Sequence, residues 1–431
     1  MRDVNKDGSR IIVSGEGVFI FDSDGNKLLD GMAGLWCVQV GYGRTEIVDA
    51  IKIQLDRLPY YNTFLRCSHP SAIKLSEMLA DLSPQNLNNI FYTNSGSEAN
   101  DTVIRIVRTY WKALNKPSKS VIISRKNAYH GSTIGAASLG GMSAMHEQGA
   151  PPISGIEHIN QPYWFEEGQD LDPAIFGEKV ALELEELIET IGVDKIAAFI
   201  AEPIQGAGGV IVPPESYWPK IKQILKKYEI LFIADEVICG FGRTGHWFGF
   251  EKYGLVPDLV SIAKGLSSGY LPIAGVMVSD RISEVIKNRI GVFSHGFTYS
   301  GHPAACAAAI ANLEVLQRDR IIEYVKDVVG PYFQAQLHGL LNHPIIGEVR
   351  MAGMLGALEL VQTKNPLKRF SPEKHAGSVF VSVALSNGII VRAPKDTITL
   401  CPPLTISKGE IDFLIERIRR SLNQTADLLR V

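Results

Sequence analysis

Residues 230–235, ILFIAD, and residues 259–264, LVSIAK, decide the fold of this chain. Each is a short, almost entirely apolar run that ends on one charged side chain, Asp235 in the first and Lys264 in the second. Strands that are apolar along their whole length, rather than alternately, indicate a parallel sheet covered by helices on both faces. Because ligands of such sheets bind at the carboxyl ends of the strands, we expect Asp235 and Lys264 to lie beside a ligand site.

Similar apolar runs occur before and after this stretch and alternate with helical patterns. The alternation predicts a large α/β domain that spans residues 60–320. Its other predicted elements are the strands Asn89–Thr93, Val121–Ser124, Ile196–Ala201 and Ile273–Val278 and a helix of small residues at about 302–317.

The two ends of the chain follow a different pattern, in which short strands and turns precede or follow isolated helices. We therefore expect residues 1–59 and 321–431 to combine into a smaller α+β domain. The elements predicted for it are the strands Ile11–Val13, Val18–Phe21, Ile389–Val391 and Thr397–Leu400 and an amphipathic helix, Lys408–Leu422.

The composition argues against several classes of protein. With 45% hydrophobic and 21% charged residues, the chain of 431 residues is expected to fold rather than to remain disordered. Its 43 basic and 46 acidic residues give a net charge of −3 without a basic cluster, which argues against a nucleic-acid partner. No apolar run approaches the roughly 18 residues of a membrane span, and the five scattered cysteines lack metal-ligand spacing. We therefore expect a cytoplasmic protein with reduced thiols and without a membrane, nucleic-acid or metal partner.

Three small residues, Ser95, Gly96 and Ser97, lie between a predicted strand and the helix that follows it. Small side chains let the backbone approach a ligand closely, and the N–H groups at a helix start favour a phosphate. The same residues also fit a simple capped turn, because serine is a good N-cap. Taken alone, this segment leaves both interpretations open.

Asp235, Lys264 and Tyr129 each admit a structural and a functional interpretation. A carboxylate at the end of a buried strand needs a cation or donors, so Asp235 forms either an internal salt bridge or part of a ligand site. Most lysines are solvated, but a desolvated Lys264 would be neutral and nucleophilic enough to form a Schiff base. Tyr129 could stack on a flat ring or pack as a core aromatic residue with its hydroxyl satisfied.

Taken together, these residues match the needs of one cofactor, pyridoxal 5'-phosphate. An aldehyde cofactor needs a lysine that holds it, a carboxylate that keeps its ring nitrogen protonated, a phosphate site and a stacking face. Lys264, Asp235, Ser95–Ser97 and Tyr129 supply these four features in turn. Once released, the lysine could move a proton as general base and then as general acid.

Six segments of the chain resemble the class III (ω-amino acid) aminotransferases of the pyridoxal-phosphate fold type I group. The resemblance covers nearly the whole chain. It implies a large domain with a mostly parallel seven-stranded sheet, and a homodimer, or a dimer of dimers, whose active sites are built from two subunits. The segments are NSGSEAN (94–100), AYHGST (128–133), AEPIQGAGG (201–209), LFIADEVICGFGRTG (231–245), SIAKGLSSGYLP (261–272) and HGFTYSGHP (295–303).

The resemblance also implies a role for each residue of the site. Lys264 and Asp235 hold the cofactor as described above, and Thr298 of one subunit reaches the cofactor phosphate of the other. Glu202 supports the site rather than taking part in the reaction. The remaining cofactor-binding residues are Gly96 and Ser97 at the phosphate, Tyr129 and Val237 on the two faces of the ring, and His130 beside Tyr129.

The residues expected near the substrate differ from those of relatives that act on ornithine, acetylornithine or γ-aminobutyrate. Those relatives carry a glutamate at the position of Ala207 and an arginine at the position of Thr399. Both partners of that ion pair are absent here, which avoids a lone buried charge. A glutamine of those relatives is also replaced, by Ile238.

The amine:pyruvate subgroup is the part of the family that this chain resembles most, through Gly34–Val38 and Val391–Pro394. In that subgroup the arginine at the position of Arg392 binds the carboxylate of pyruvate or alanine, which suits a planar guanidinium. Arg392 could otherwise form a surface ion pair. The resemblance also gives an apolar amine pocket, whose residues could equally be ordinary core: Trp36, Tyr60 and Phe64.

The predicted function is therefore transfer of an amino group from an ω-amine or diamine such as putrescine to pyruvate, giving an aldehyde and L-alanine. β-Alanine– and taurine–pyruvate aminotransferases share much of the same sequence. An aminomutase, a racemase or a decarboxylase on this scaffold would also need Lys264 and Asp235. A binding module without catalysis is the remaining alternative, and the intact lysine–aspartate pair argues against it.

Overall fold

A computed structural model describes residues 8–84, 86–149, 152–168 and 170–430 of the chain. They divide into two compact units, of which the larger spans residues 46–323 and the smaller combines the residues up to 45 with those from 324 onwards. The sequence predicts boundaries at residues 60 and 320 instead. At the first boundary the difference is the helix Thr45–Arg57, because no Gly- or Pro-rich linker marks where the large unit begins.

The described strands form four sheets, two of which combine strands that are far apart in the sequence. They are β1 (Ile12–Glu16), β2 (Phe19–Asp22), β3 (Lys27–Asp30), β4 (Asn89–Thr93), β5 (Val121–Arg125), β6 (Ile156–Ile159), β7 (Ile196–Ala201), β8 (Leu231–Asp235), β9 (Leu259–Ile262), β10 (Ala274–Val278), β11 (Ile346–Ala352), β12 (Leu355–Leu360), β13 (Thr363–Lys364), β14 (Leu367–Lys368), β15 (Ile389–Ile390) and β16 (Thr397–Leu400).

Helices occur in both units, and in the large unit they alternate with the strands. They are α1 (Ala33–Trp36), α2 (Thr45–Arg57), α3 (Pro70–Leu82), α4 (Gly96–Ala113), α5 (Ile134–Leu139), α6 (Ser143–Glu147), α7 (Trp164–Glu167), α8 (Pro173–Ile191), α9 (Tyr217–Tyr228), α10 (Asp280–Arg289), α11 (Pro303–Arg318), α12 (Ile321–Tyr324), α13 (Gly330–His338), α14 (Ala376–Ser386) and α15 (Lys408–Leu429). Within the described ranges, none of them combines the length and the apolar character needed to cross a membrane.

The large unit is built on one sheet of seven strands in the order β4-β10-β9-β8-β7-β5-β6. β10 runs antiparallel to both of its neighbours, and the other neighbouring strands pair in parallel. The predicted α/β class with a mostly parallel seven-stranded sheet is therefore confirmed. Strand β6 was not predicted individually, because Glu157 and His158 interrupt its apolar pattern and an edge strand tolerates polar side chains.

Apolar side chains bury the centre of this sheet. Every residue of β7 and of β8 is buried. Helix α4 packs its apolar face, including Val103 and Val107, into the same core as Ile200 of β7 and Leu231 of β8. Because each fully buried large aliphatic side chain contributes about 1.5–3 kcal/mol, this core holds the strands in a fixed register.

Parallel pairing brings the carboxyl ends of the central strands to one edge of the sheet. Asp235, the last residue of β8, pairs with Ser261 of β9. The chain leaves β7 at Glu202 and reaches Lys264 two residues after β9 ends. Three of the predicted site residues therefore follow neighbouring strands of one rigid sheet.

The small unit draws strands from both ends of the chain. One sheet has the order β1-β2-β3-β15, in which Leu29 of β3 lies opposite Ile389 of β15 in parallel. A second sheet has the order β11-β12-β16. Helix α15 begins with a capping box between Ser407 and Glu410. It extends to Leu429 rather than to the predicted Leu422, because buried residues continue along the same face.

Candidate active site

A pocket of about 320 Å³ lies where β7, β8 and β9 end and α4 begins. All of the residues that line it belong to the large unit. The structure thus brings together residues that are far apart in the sequence. The predicted cofactor-binding residues among them are Ser95, Gly96, Ser97, Tyr129, His130, Glu202, Asp235, Val237 and Lys264.

Asp235 is a buried carboxylate, only 3% exposed, with donors on both of its oxygen atoms. Its Oδ2 atom accepts hydrogen bonds from Asn100 Nδ2 at 2.8 Å and from His130 Nδ1 at 2.7 Å. Its Oδ1 atom accepts a longer bond, at 3.1 Å, from the backbone N–H of Val237. A carboxylate that accepts several hydrogen bonds is held in one orientation.

The donors to Asp235 are themselves held by a buried hydrogen-bond network. Asn100 Nδ2 also donates to the carbonyl of His130 at 2.7 Å, and its Oδ1 accepts from Ser261 Oγ at 2.7 Å. His130 Nε2 lies 3.2 Å from Ser124 Oγ. Because the carboxylate can only accept, the Nδ1 atom of His130 carries the proton in this arrangement. The network joins α4, β5, β8 and β9, so one helix and three strands together fix the position of Asp235.

Lys264 follows strand β9 and begins a single 3₁₀ turn, Lys264–Leu266. Its backbone is left-handed, with φ of +47°, a conformation that non-glycine residues adopt rarely. Its side chain is half-buried and lines the pocket. An unusual backbone conformation at a single lysine beside a pocket is typical of a residue whose direction matters for function.

The start of α4 combines a cap with a close approach of backbone. Ser95 is the N-cap, and its Oγ atom accepts from the N–H of Glu98 at 3.2 Å. The capped-turn interpretation is therefore correct for Ser95. The amides of Gly96 and Ser97 open the helix, where no acceptor exists within the helix itself, so they remain suited to an anion.

Two glycines let neighbouring segments reach this helix start. A Cβ atom on Gly96 would lie 3.1 Å from a methyl group of Val237. At Gly131 the backbone has φ of +135°, and a Cβ atom would lie 2.6 Å from Ser97 Oγ. Ser97 Oγ in turn accepts from the N–H of Ser132 at 3.0 Å. A larger residue at either position would push the 129–132 segment or Val237 away from the pocket.

Tyr129 is half-buried at the pocket wall, and its hydroxyl lies 3.0 Å from Ser132 Oγ. Its backbone N–H donates to Glu202 Oε1 at 3.2 Å. Glu202 Oε2 accepts from the N–H of Gly206 at 2.8 Å. Burial raises the pKa of the Glu202 carboxyl above its ordinary value. Glu202 therefore links the loop at Tyr129 to the loop at Gly206.

Glu236, the neighbour of Asp235, is also buried but does not line the pocket. Its carboxyl oxygens accept from the N–H groups of Gly249 and Phe250, each at 2.7 Å. Burial nevertheless raises its pKa from 4.5 to about 8. Within the described residues, no three His, Cys, Asp or Glu side chains lie together as a metal ion would require.

Thr298, Tyr60 and Phe64 form a second group in the large unit and do not line the pocket. Tyr60 Oη donates to the carbonyl of Thr298 at 2.7 Å, and Thr298 itself is exposed. Phe64 packs over Gly296, where a Cβ atom would lie 2.2 Å from the ring. Tyr60 and Phe64 are 38% and 37% exposed. Within one chain, Tyr60 therefore contacts the segment that carries Thr298, and Phe64 contacts the same segment at Gly296.

Trp36 and Arg392 belong to the small unit. Trp36 is buried with φ of +64°, and its indole Nε1 has no hydrogen-bond partner among the described residues. Arg392 is exposed, and its carbonyl accepts from the N–H of Thr399 at 2.7 Å and from its Oγ1 at 3.1 Å. Thr399 thus anchors the backbone that carries Arg392.

Several residues of the site were not identified from the sequence. Asn100, Ser124 and Ser261 carry the network around Asp235, and the segment 267–273 forms one wall of the pocket. A signal did exist for Ser261, since a polar residue inside a buried strand must find a hydrogen-bond partner. Its partner was not predictable, because the pattern does not say which helix packs on that strand.

Comparison with known proteins gives likenesses that extend over nearly the whole chain. The family described as aminotransferase class-III matches residues 3–422. The putrescine–pyruvate aminotransferase of Pseudomonas aeruginosa is 55% identical over 425 residues, which are 99% of this chain and 93% of that protein. An (S)-enantioselective ω-transaminase from Thermomicrobium roseum is 44% identical with a TM-score of 0.95, covering 98% of this chain and 94% of that one. The ω-transaminase of Pseudomonas jessenii, solved in complex with PMP, is 38% identical with a TM-score of 0.97, covering 99% and 95%.

Proposed function

The chain belongs to the class III aminotransferases, and we propose that it transfers the amino group of a putrescine-like diamine or another ω-amine to pyruvate, giving an aldehyde and L-alanine. Family membership confirms the predicted fold type I architecture and the dependence on pyridoxal 5'-phosphate. The choice of donor and acceptor is supported by the 55% identity to an enzyme named for putrescine and pyruvate.

The residues of the pocket fit this cofactor. Gly96 leaves open a space that a Cβ atom would fill beside Val237. The Oδ1 atom of Asp235 has one described bond, at 3.1 Å, and a carboxylate oxygen can accept another from a protonated ring nitrogen. The opening amides of α4 offer donors to a phosphate.

Each side chain of the pocket then has a chemical task. Pyridoxal phosphate supplies an aldehyde carbon that takes up nitrogen and a ring that accepts electrons when the substrate carbon loses its proton. Lys264 would hold the cofactor, and its amine would move that proton as general base and then as general acid. Asp235 keeps the ring nitrogen protonated, and Asn100 and His130 hold Asp235 in the orientation that this requires.

The remaining pocket residues bind and orient. Ser95, Gly96 and Ser97 bind the phosphate, and Thr298 of a partner chain completes that site. Tyr129 and Val237, which both line the pocket, would contact the two faces of the ring. A flat aromatic face and a branched methyl group hold a planar ring without competing for its polar atoms.

The substrate side needs to accept two unlike molecules in turn. Arg392 binds the carboxylate of pyruvate, because its planar guanidinium forms two parallel charge-assisted hydrogen bonds. Trp36, Tyr60 and Phe64 contact the apolar chain of the amine. Loss of the glutamate–arginine pair of other relatives, at Ala207 and Thr399, removes a competing charge from this side.

One observation carries the proposal: Asp235 ends strand β8, Lys264 follows the neighbouring strand β9, and both line the same pocket. An aminomutase, a racemase or a decarboxylase would use the same two residues. Those reactions have one substrate and need no separate arginine for an acceptor. Arg392 therefore favours transamination, with β-alanine or taurine as alternative donors.

A half-reaction without acceptor tests the proposal. Putrescine, β-alanine, taurine and 1-phenylethylamine are added separately to the cofactor-loaded protein, and the absorption of the lysine-bound cofactor is followed. We expect putrescine to convert it to the aminated form and pyruvate to reverse the change with formation of alanine. Reversal without alanine, or no change with any amine, would contradict the proposed reaction.

We also propose that two chains form a homodimer with shared sites, with a dimer of dimers as the larger assembly. Exposed apolar residues from two segments of the large unit support an interface there, since large apolar patches mark contact sites. The exposed Thr298 lies in one of these segments. The exposed apolar residues are Tyr60, Tyr61, Phe64, Leu65, Val292 and Tyr299.

Mixing two inactive variants tests whether sites are shared. Lys264→Ala lacks the lysine of its own site, and Thr298→Asp places a negative charge against the phosphate of its partner's site. In a mixed dimer one site contains both intact residues. We expect a mixture that has been allowed to exchange subunits to recover roughly one quarter of the native activity, as random pairing in a symmetric dimer requires. Recovery of none, together with a monomeric mass by light scattering, would contradict the shared site.

The cytoplasm is the proposed location. All five cysteines are free thiols, and three of them, Cys239, Cys306 and Cys401, are buried, as expected where disulfides do not form. Cell fractionation with an antibody checks this assignment.

A further inference from the structure

Asn312 is a fully buried polar residue, 0% exposed, in the middle of helix α11. Its helix neighbours on the buried faces are almost all apolar or small, such as Ala308, Ala309 and Leu313. A buried amide is unfavourable unless its donors and acceptor are satisfied. The partners of Asn312 therefore indicate why the helix carries an amide at this position.

All three described hydrogen bonds of this side chain end on the four residues that follow Lys264. Asn312 Nδ2 donates to the carbonyl of Gly265 at 2.8 Å and to the carbonyl of Leu266 at 3.0 Å. Asn312 Oδ1 accepts from Ser268 Oγ at 2.6 Å. Both amide hydrogens and one acceptor position are thus used within a single turn of chain.

That turn needs external support, because its backbone is unfavourable at both ends. Lys264 and Ser268 have φ of +47° and +50°, in the left-handed region that favours glycine. Such residues keep this conformation only where the surroundings hold them in it. Two backbone hydrogen bonds lie within the turn, from Leu266 N–H to the carbonyl of Ala263 at 3.0 Å and from Ser267 N–H to the carbonyl of Lys264 at 3.2 Å, and they connect the turn only to itself. Asn312 connects it to a long helix.

We propose that Asn312 is a positioning residue that holds the turn after Lys264 and so directs the lysine side chain into the pocket. This inference rests on the proposed function, in which Lys264 carries the cofactor. It assigns to α11 a part in the reaction although the described pocket contains no residue of that helix. Leucine or alanine at position 312 could still fill space but could not bond the two carbonyls.

The experiment compares Asn312→Leu and Asn312→Ala with a matched control, Asn387→Ala. Asn387 is also a buried asparagine, but its amide donates to Ser421 and Gln424 of the small unit. Three quantities are measured: hydrogen exchange of the peptide 259–272 before cofactor is added, the pH midpoint of the absorption change of lysine-bound cofactor, and kcat and KM for the amine.

We expect both Asn312 variants to exchange the amides of residues 265–268 at least about 10-fold faster and to shift the pH midpoint. We expect kcat to fall about 10- to 100-fold with little change in KM, the size typical of a misplaced reacting group. Asn387→Ala should lower the unfolding temperature while leaving the pH midpoint and kcat at native values. Ser268→Ala, which removes one bond and disturbs the core less, should show the same effects to a smaller degree.

Two results separate failure of this inference from failure of the proposed function. If the native protein shows the lysine-bound absorption but the Asn312 variants keep its pH midpoint and kcat, then Asn312 only stabilises the fold and the inference is wrong. If Lys264→Ala retains that absorption, the proposed function is wrong and the inference falls with it.

Discussion

The residues around Asp235 differ in burial from three exposed residues, Arg392 of the small unit and Tyr60 and Phe64 of the large unit. Asp235 is 3% exposed and is fixed by Asn100 and His130. Arg392, by contrast, is exposed, and Tyr60 and Phe64 are more than a third exposed. Under the proposed function, the buried residues would bind the cofactor and the exposed residues would bind the substrates.

The physical origin of the difference is where the residues sit in the fold. Asp235 and Lys264 follow central strands of a buried sheet, so the core determines their spacing. Arg392 and Tyr60 sit outside regular strands and helices. An enzyme that binds an amine and a keto acid in turn needs a reacting centre that stays constant and a binding side that changes. Changes on the cofactor side should affect all substrates equally, and changes on the substrate side should affect them selectively.

Lys264→Ala should have the largest effect. Because this lysine holds the cofactor and moves the proton, we expect kcat to fall on the order of 10⁴-fold for every amine. The comparison is with Lys112→Ala, which removes an exposed lysine from α4 and should be silent. Steady-state assays of both variants with three amine donors would measure the two values of kcat. Retention of full turnover with any donor would remove Lys264 from the mechanism.

Asp235→Asn should reduce kcat about 10²- to 10³-fold, the usual cost of removing one electrostatic partner from a reacting group. The loss should be the same for the amine and for pyruvate, since the ring nitrogen serves both half-reactions. Asp258→Asn is the matched control, because Asp258 accepts the N–H of Phe232 at the opposite ends of the same strands. Unequal losses for the two half-reactions would show that Asp235 belongs to the substrate side.

Arg392→Ala should slow the reaction with pyruvate more than the reaction with the amine. We expect kcat/KM for pyruvate to fall about 10- to 100-fold, as for loss of hydrogen bonds to a charged group. The rate of the half-reaction with an amine that lacks a carboxylate should change little. Lys395→Ala removes an exposed cation three positions further along the chain and serves as control. If the two half-reactions slow equally, Arg392 does not select for the carboxylate.

Glu236→Gln should give the smallest effect, on stability rather than on turnover. Burial raises the pKa of Glu236 from 4.5 to about 8, so the folded state binds this proton more tightly than the unfolded chain does. The resulting stabilisation is fully present below pH 4.5 and is lost as the pH rises through about 8. Between about pH 5 and about pH 9, the unfolding temperature of the variant should fall less than that of the native protein, by roughly 2–4 °C. Equal pH dependence in calorimetry would mean that Glu236 is ionised in the folded protein.

Much of the fold and of the cofactor site could be predicted from the sequence. The apolar runs predict the buried sheet, and the charged residues at their ends, Asp235 and Lys264, predict the ligand site. The partners of these residues could not be predicted in the same way. Asn100 and Asn312 reach their partners from helices, and a sequence pattern does not show which helix packs on which strand. The substrate side was predictable only through resemblance, since residues on loops carry no periodic signal.

Reduction of the cofactor-loaded protein with borohydride tests directly whether Lys264 carries the cofactor. Borohydride makes the link between the cofactor and its lysine permanent, and peptide mass spectrometry then identifies the modified residue. We expect a single modified peptide that contains Lys264, and no modification in Lys264→Ala. Modification at another lysine, or none in the native protein, would contradict it.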